Sequence, residues 1–204
     1  LNTLLPPMNE DEALLTMSIV SVSNNRLPDN HDWLLRPFRS PHHTVSGVAL
    51  VGGGSQPKPG EISLANHGVL FLDELTEFDR KTLEVLREPL ETGEVHIARA
   101  ARQMTFPARF QLIAAMNPCP GGCESIMACQ CSPEQLTRYR NRLSAPLLDR
   151  IDIQIELPRL PRSDLLEQGI QHQETSATVR ARVTQAQHIQ LQRQGCLNAR
   201  MSNQ

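Results

Sequence analysis

The sequence predicts an α/β fold built on a parallel sheet with flanking helices, and three observations carry that prediction. Val69-Leu70-Phe71-Leu72 and Arg109 to Met116 are short apolar runs bounded by turn and polar residues, the pattern of strands buried on both faces. Segments with helix caps alternate with them, which is how parallel strands are connected. Beyond Pro158 and Pro161 the chain reads only as helices, so a core over residues 1–159 is expected, then a separate helical unit over 160–204.

Each element has a local reason. Asn9 precedes Glu10, Asp11 and Glu12 and then an apolar run to Val22: an N-cap and an acidic first turn that suits the helix dipole. Residues 28–60 are rich in Pro, Gly, Ser and His and are expected to be mostly loop, with a short strand at Val48 to Val51. The strand at Val69 to Leu72 ends in Asp73-Glu74. Asp79 is expected to cap a helix to about Thr92, closed by Gly93. Glu94 to Ala98 and Gln103 to Pro107, separated by Arg99-Ala100-Ala101-Arg102, read as a β-hairpin. The strand from Arg109 runs into Asn117-Pro118 and a Cys/Gly/Pro loop. Helices follow near Pro133 to Arg140 and Pro146 to Arg150, then an alternating strand at Ile151 to Leu157. The helical unit holds Ser163 to Gly169 and Ser176 to Gln194, the second ended by Gly195.

The 204 residues, 39% hydrophobic, can bury one sizeable core. A net charge of −2 excludes a strongly basic, histone-like binder but not a local basic surface inside a pore. Positive charge is almost all arginine, Lys58 and Lys81 excepted; arginine suits bidentate phosphate contacts, and a biased genomic base composition gives the same pattern. No apolar run approaches the roughly 20 residues of a membrane span. The chain shows no signal-peptide pattern, and its start at Leu1 suggests a piece of a longer protein. Five cysteines point to a reducing cytoplasm, with metal binding favoured over a disulfide framework.

Three short motifs bear chemistry. Nucleotide hydrolysis needs Mg²⁺ beside the phosphates and a water aimed at the terminal phosphorus. Asp73 at a strand's carboxyl end can hold the metal's water shell, and Glu74 can polarise the attacking water; the plain alternative is a strand running into an acidic turn. Asn117, at the tip of the other strand, can orient the same water, although Asn-Pro is also an ordinary turn. In Arg142-Leu143-Ser144-Ala145-Pro146-Leu147-Leu148-Asp149-Arg150 a guanidinium can reach a neighbouring subunit's phosphates, unless Asp149 and Arg150 simply form a surface ion pair.

In this order the motifs resemble the AAA+ ATPases and, within them, the magnesium-chelatase-like group. Arg36-Pro37-Phe38-Arg39-Ser40-Pro41-His42-His43-Thr44, Pro59-Gly60-Glu61-Ile62-Ser63-Leu64-Ala65 and Arg87-Glu88-Pro89-Leu90-Glu91 are similar to that group's signatures, in its YifB/ComM branch, from about Leu4 to Gln194. The resemblance implies a partial P-loop NTPase-like core that uses ATP and Mg²⁺ in a hexameric ring. Asp73 and Glu74 would be the Walker B pair and Asn117 the sensor-1 residue. Arg150 would be the arginine finger, with Arg142 second. The hairpin would be the pre-sensor-1 insertion facing the central channel, where Arg99 and Arg102 would touch a DNA backbone; exposed hairpin arginines are otherwise simply solvated.

No G-x-x-x-x-G-K-[ST] occurs. Gly52-Gly53-Gly54-Ser55-Gln56-Pro57-Lys58-Pro59-Gly60 imitates one, but Pro57 and Pro59 lack the N–H groups that phosphates need. The chain is therefore expected to start just downstream of Walker A and to be inactive alone, with a sensor-2 arginine past Gln204. Cys119, Cys123, Cys129 and Cys131 can surround Zn²⁺ tetrahedrally. Their C-x3-C and C-x-C spacing strains that geometry, and Gly121 stands where relatives show a thiol, so reduced, unligated cysteines are the favoured alternative. Cys196 stands apart. The adjacent His42 and His43 cannot share one face and read as a structural or substrate-loop pair.

The leading functional reading is a DNA-remodelling or branch-migrating ring helicase. The alternatives are a magnesium-chelatase motor subunit acting on a porphyrin, and a non-catalytic interaction module.

Overall fold

The computed structural model describes residues 2–24, 33–99, 102–123, 129–157 and 174–201. Helix α1, Glu10–Asn24, starts as expected: Asn9 Oδ1 accepts from Glu12 N at 2.8 Å, while Glu12 Oε2 accepts from Asn9 N at 3.3 Å. One face buries Ala13, Thr16 and Ile19. Strand β1 is short, Phe38–Arg39.

Val48 to Val51 is not a strand but part of helix α2, Gly47–Val51. Ser46 Oγ caps it from Ala49 N at 3.2 Å, and the burial of Leu50 outweighs the β-propensity of the two valines. The glycine-rich stretch is a small antiparallel hairpin, β2 (Gly52–Gly53) with β3 (Lys58–Pro59), leading to helix α3, Glu61–Leu64.

Strand β4, Val69–Leu72, is the middle of a three-stranded parallel sheet, in order β1-β4-β7, with β7 at Gln111–Ala114. Gly68 enters β4 so close to the Pro37 carbonyl that any Cβ would collide with it, which fixes a glycine here. The single helix expected from Asp79 to Thr92 is two, α4 (Arg80–Glu84) and α5 (Arg87–Thr92). Pro89 lacks an N–H for the Val85 carbonyl, so the turn is interrupted and Pro89 falls in the first turn of the second helix, where proline is tolerated. Asp79 does cap the first, and Gly93, at φ 73°, closes the second.

The expected hairpin forms from β5 (Glu94–Arg99) and β6 (Arg102–Pro107), with Arg99 paired to Arg102. Val95, Ile97 and Phe106 sink its base into the main core beside Leu70 and Leu72. Helix α6, Pro133–Arg140, has a full capping box from Ser132 and Gln135, and α7 spans Ala145–Leu148.

Ile151 to Leu157 has no regular structure, and Ile153, Ile155 and Leu157 are 75–79% exposed. Alternation records a potential apolar face, but a strand needs a hydrogen-bonded neighbour, and none among the described residues pairs with this one. Helix α8, Ser176–Gln194, ends at Gly195 as expected and packs near the turn at Asn2–Leu4. The helix expected at residues 163–169 lies outside the described residues.

Candidate active site

The sheet sets the site. Leu72 and Ala114 are partners in the parallel ladder of β4 and β7. The ladder continues past both strand ends: Ala115 N donates to Leu72 O, and Leu75 N to Ala115 O, each at 2.9 Å. Asp73 and Glu74, directly after β4, and Asn117, just beyond β7, therefore stand on adjacent tips at the carboxyl edge. That is where open parallel sheets bind ligands.

Both carboxylates are exposed. Glu74 adopts the left-handed region at φ 53°, ψ 48°, uncommon for a residue with a side chain. Asp73 Oδ1 accepts from Glu74 N at 2.9 Å, and His43 Nδ1 lies 3.2 Å from Glu74 Oε2. The sequence showed no carboxylate near His43; the fold supplies one. The His42 and His43 rings lie 4.0 Å apart, and Phe78 meets His43 edge-on.

Tyr139 was not anticipated. Its hydroxyl donates to Asn117 O and accepts from Thr76 Oγ1, both at 2.9 Å, so α6 bridges the two tips. The available signal was that a buried tyrosine needs a hydrogen-bond partner, and this is the chain's single tyrosine.

The two candidate arginines lie elsewhere within the chain. Arg142 Nη1 donates to Thr76 O at 3.0 Å and to Glu77 Oε1 at 2.9 Å. Arg150 Nη2 donates to Glu91 Oε2 at 2.8 Å, not to Asp149. Among the described ion pairs neither reaches Asp73 or Glu74. Arg99 and Arg102 are the last paired residues of the hairpin, which is a sheet separate from that of β4 and β7.

The signature stretches join one another. Arg39 meets Glu61 through Nε–Oε2 at 2.6 Å and Nη2–Oε1 at 2.7 Å, a bidentate pair. Arg36 binds the carbonyls of Pro6 and His67, each at 2.7 Å, and Glu12 Oε2 at 2.9 Å. Glu12 is pulled down to about 2, first by contact with His67 and further by Arg36, against the upward push of burial.

Cys119, Cys123, Cys129 and Cys131 converge, all four sulfurs lying within 4.8 Å of one another. Cys119 is buried, and its thiol is lowered to about 6, chiefly because Cys123 N donates to its Sγ at 3.3 Å; burial pushes Cys131 upward. Cys196 is a separate free thiol.

No helix among the described residues is long and apolar enough to cross a membrane. The family profile described as "Magnesium chelatase, subunit ChlI" matches residues 1–165. The chain is 53% identical over 203 residues to the competence protein ComM of Haemophilus influenzae, covering all of this chain and 40% of that protein. It is 52% identical over 201 residues to the uncharacterized protein YifB of Salmonella typhimurium, covering 98% of this chain and 39% of the relative. Over a shorter stretch of 94 residues, 46% of this chain and 10% of the other, it is 30% identical to the DNA replication licensing factor Mcm6 of Drosophila melanogaster. The chain thus spans about 40% of the length of ComM and YifB. A partial P-loop NTPase-like sheet, the match over residues 1–165 and identity above one half along the whole chain have one joint meaning: the chain belongs to the magnesium-chelatase ChlI family, in the branch of ComM and YifB.

Proposed function

We propose that this chain is the core of an ATP-hydrolysing AAA+ ring motor that acts on DNA, with residues 1–159 as ATPase core and 160–204 as the start of a helical lid. The observation that carries the reading is the adjacency of the Asp73-Glu74 and Asn117 tips on neighbouring parallel strands. Exposed carboxylate oxygens at a strand's end suit a hard, largely hydrated Mg²⁺, which would neutralise phosphate charge when bound with ATP. Asp73 would hold that metal's water shell. Glu74, oriented by His43, would take the proton of the attacking water, and the Asn117 amide would hold that water in line. Because the chain has no Walker A sequence, turnover is expected of the full-length protein and not of these residues alone.

Arg150 is the better arginine finger. Its partner Glu91 is exposed, and a solvent-screened surface pair of this kind is weak and easily exchanged for a neighbour's phosphate. Arg142 also holds the Thr76 carbonyl, so freeing it would open the post-strand turn. The test is complementation in mixed rings of the full-length protein. Arg150→Ala and Glu74→Gln subunits, each inactive alone, should regain ATPase activity when mixed, because some interfaces then pair an intact Glu74 with an intact Arg150. No recovery in demonstrably mixed rings would refute action across the interface.

DNA as the client is supported by the competence protein among the relatives, by the licensing factor's local similarity, and by arginines at the hairpin's end. The family description favours a second reading, a chelatase motor driving metal insertion into a porphyrin. Single-stranded or branched DNA should raise ATP turnover several-fold in the first case and leave it unchanged in the second.

A further inference from the structure

We propose that Cys119, Cys123, Cys129 and Cys131 form a tetrathiolate zinc site that ties the loop after Asn117 to the start of α6. Tetrahedral zinc with bonds of about 2.3 Å places its sulfurs about 3.8 Å apart. The four Sγ atoms already lie within 4.8 Å of one another, so a small contraction completes the shell. Two disulfides would need only pairwise proximity; four mutually close sulfurs are what a single ion requires.

The backbone is shaped around the sulfurs. A Cβ at Gly121 would lie 2.9 Å from Cys131 Sγ and 3.5 Å from Cys123 Sγ, so glycine is what lets the loop close over them. Gly121 is thus part of the cradle, and Cys123 is the ligand on this side of the loop. The Cys123 amide aimed at Cys119 Sγ at 3.3 Å is the kind of outer contact that orients and stabilises a ligating thiolate. Thiolates of this number favour zinc over Mg²⁺ or Ca²⁺, which take oxygen.

The placement gives the site a consequence. Cys119 follows Asn117 by a single intervening Pro118, and Cys131 immediately precedes Ser132, the N-cap of α6. Tyr139 of that helix reaches back to Asn117 O. Metal and tyrosine together close a ring of contacts around the β7 tip, one at each end of the intervening segment. This bracing is independent of whether the site hydrolyses ATP, although its importance for Asn117 rests on the motor reading.

The full-length protein, purified without chelators under reducing conditions, should contain one zinc per chain by elemental analysis. Replacement by Co²⁺ should give intense thiolate-to-cobalt charge transfer and tetrahedral ligand-field bands, lost in Cys119→Ser/Cys131→Ser. Zinc below about a tenth of an equivalent, both as purified and after reconstitution, overturns the site, and so does an octahedral cobalt spectrum. Removing zinc should speed amide exchange at least tenfold around Asn117 and the first turn of α6; unchanged exchange overturns the bracing. A protein that binds zinc but hydrolyses no ATP would support this site while sinking the motor reading, and active, zinc-free protein would do the reverse.

Discussion

At the amino ends of β1 and β4, Arg36 is enclosed by three carbonyls and Glu12, with side-chain exposures of 15% and 17% for the ion pair. At the carboxyl ends of the same sheet, Asp73 and Glu74 face solvent, and Glu74 holds an unfavourable backbone conformation. One end buries its charges in joining α1, β1 and the entry to β4; the other leaves them exposed, with Glu74 beside His43 and Asp73 Oδ1 accepting only from the Glu74 amide among the described contacts. Charge pairing thus dominates one end of a single sheet and exposed acidic groups the other, while each end holds one non-glycine residue in the left-handed region, His67 at φ 58° and Glu74 at φ 53°.

The contrast can be broken most severely at the amino end. Arg36→Met takes the guanidinium from partly buried Glu12 and a donor from the Pro6 and His67 carbonyls, and should cost about 3 kcal/mol, read from urea unfolding, with turnover per folded full-length molecule unchanged. A loss under about 1 kcal/mol would show that Arg36 does not anchor the sheet. At the other end, Glu74→Gln should lower turnover about 100-fold or more while leaving the unfolding midpoint in place. Equal effects on both measurements would erase the distinction. Tyr139→Phe sits between the two, removing a hydroxyl bonded to Thr76 and Asn117. It should cost about 1 kcal/mol and also slow turnover, by loosening the tip.

The amino end should also show a pH dependence. Glu12 titrates near 2 in the folded chain, below its ordinary 4.5, chiefly through His67. A carboxyl held low stabilises the fold fully above its ordinary value and loses that contribution as pH falls from 4.5 towards 2. Unfolding measured across that window should decline less steeply in Glu12→Gln.

The parallel strands, the hairpin and the caps at Asn9, Asp79 and Gly195 were legible because each rests on residues close in sequence. The acidic pair and Asn117 were legible as candidates, and their neighbouring tips followed from the strand pattern. What sequence could not disclose were partners far apart in the chain: Arg36 with His67, Arg39 with Glu61, His43 with Glu74, Tyr139 with Asn117. Val48 to Val51 and Ile151 to Leu157 misled for a related reason. Composition and alternation describe what a segment can bury, while strand formation depends on a neighbour that lies elsewhere.

The bonds from Ala115 N to Leu72 O and from Leu75 N to Ala115 O involve only main-chain atoms. These two ties hold the strand ends together whichever side chains follow them, and the Tyr139 hydroxyl adds a side-chain tie further out. Replacing the acidic residues or Asn117 can change what the site does to a bound molecule, but the gauge where its two jaws leave the sheet is set by the peptide backbone.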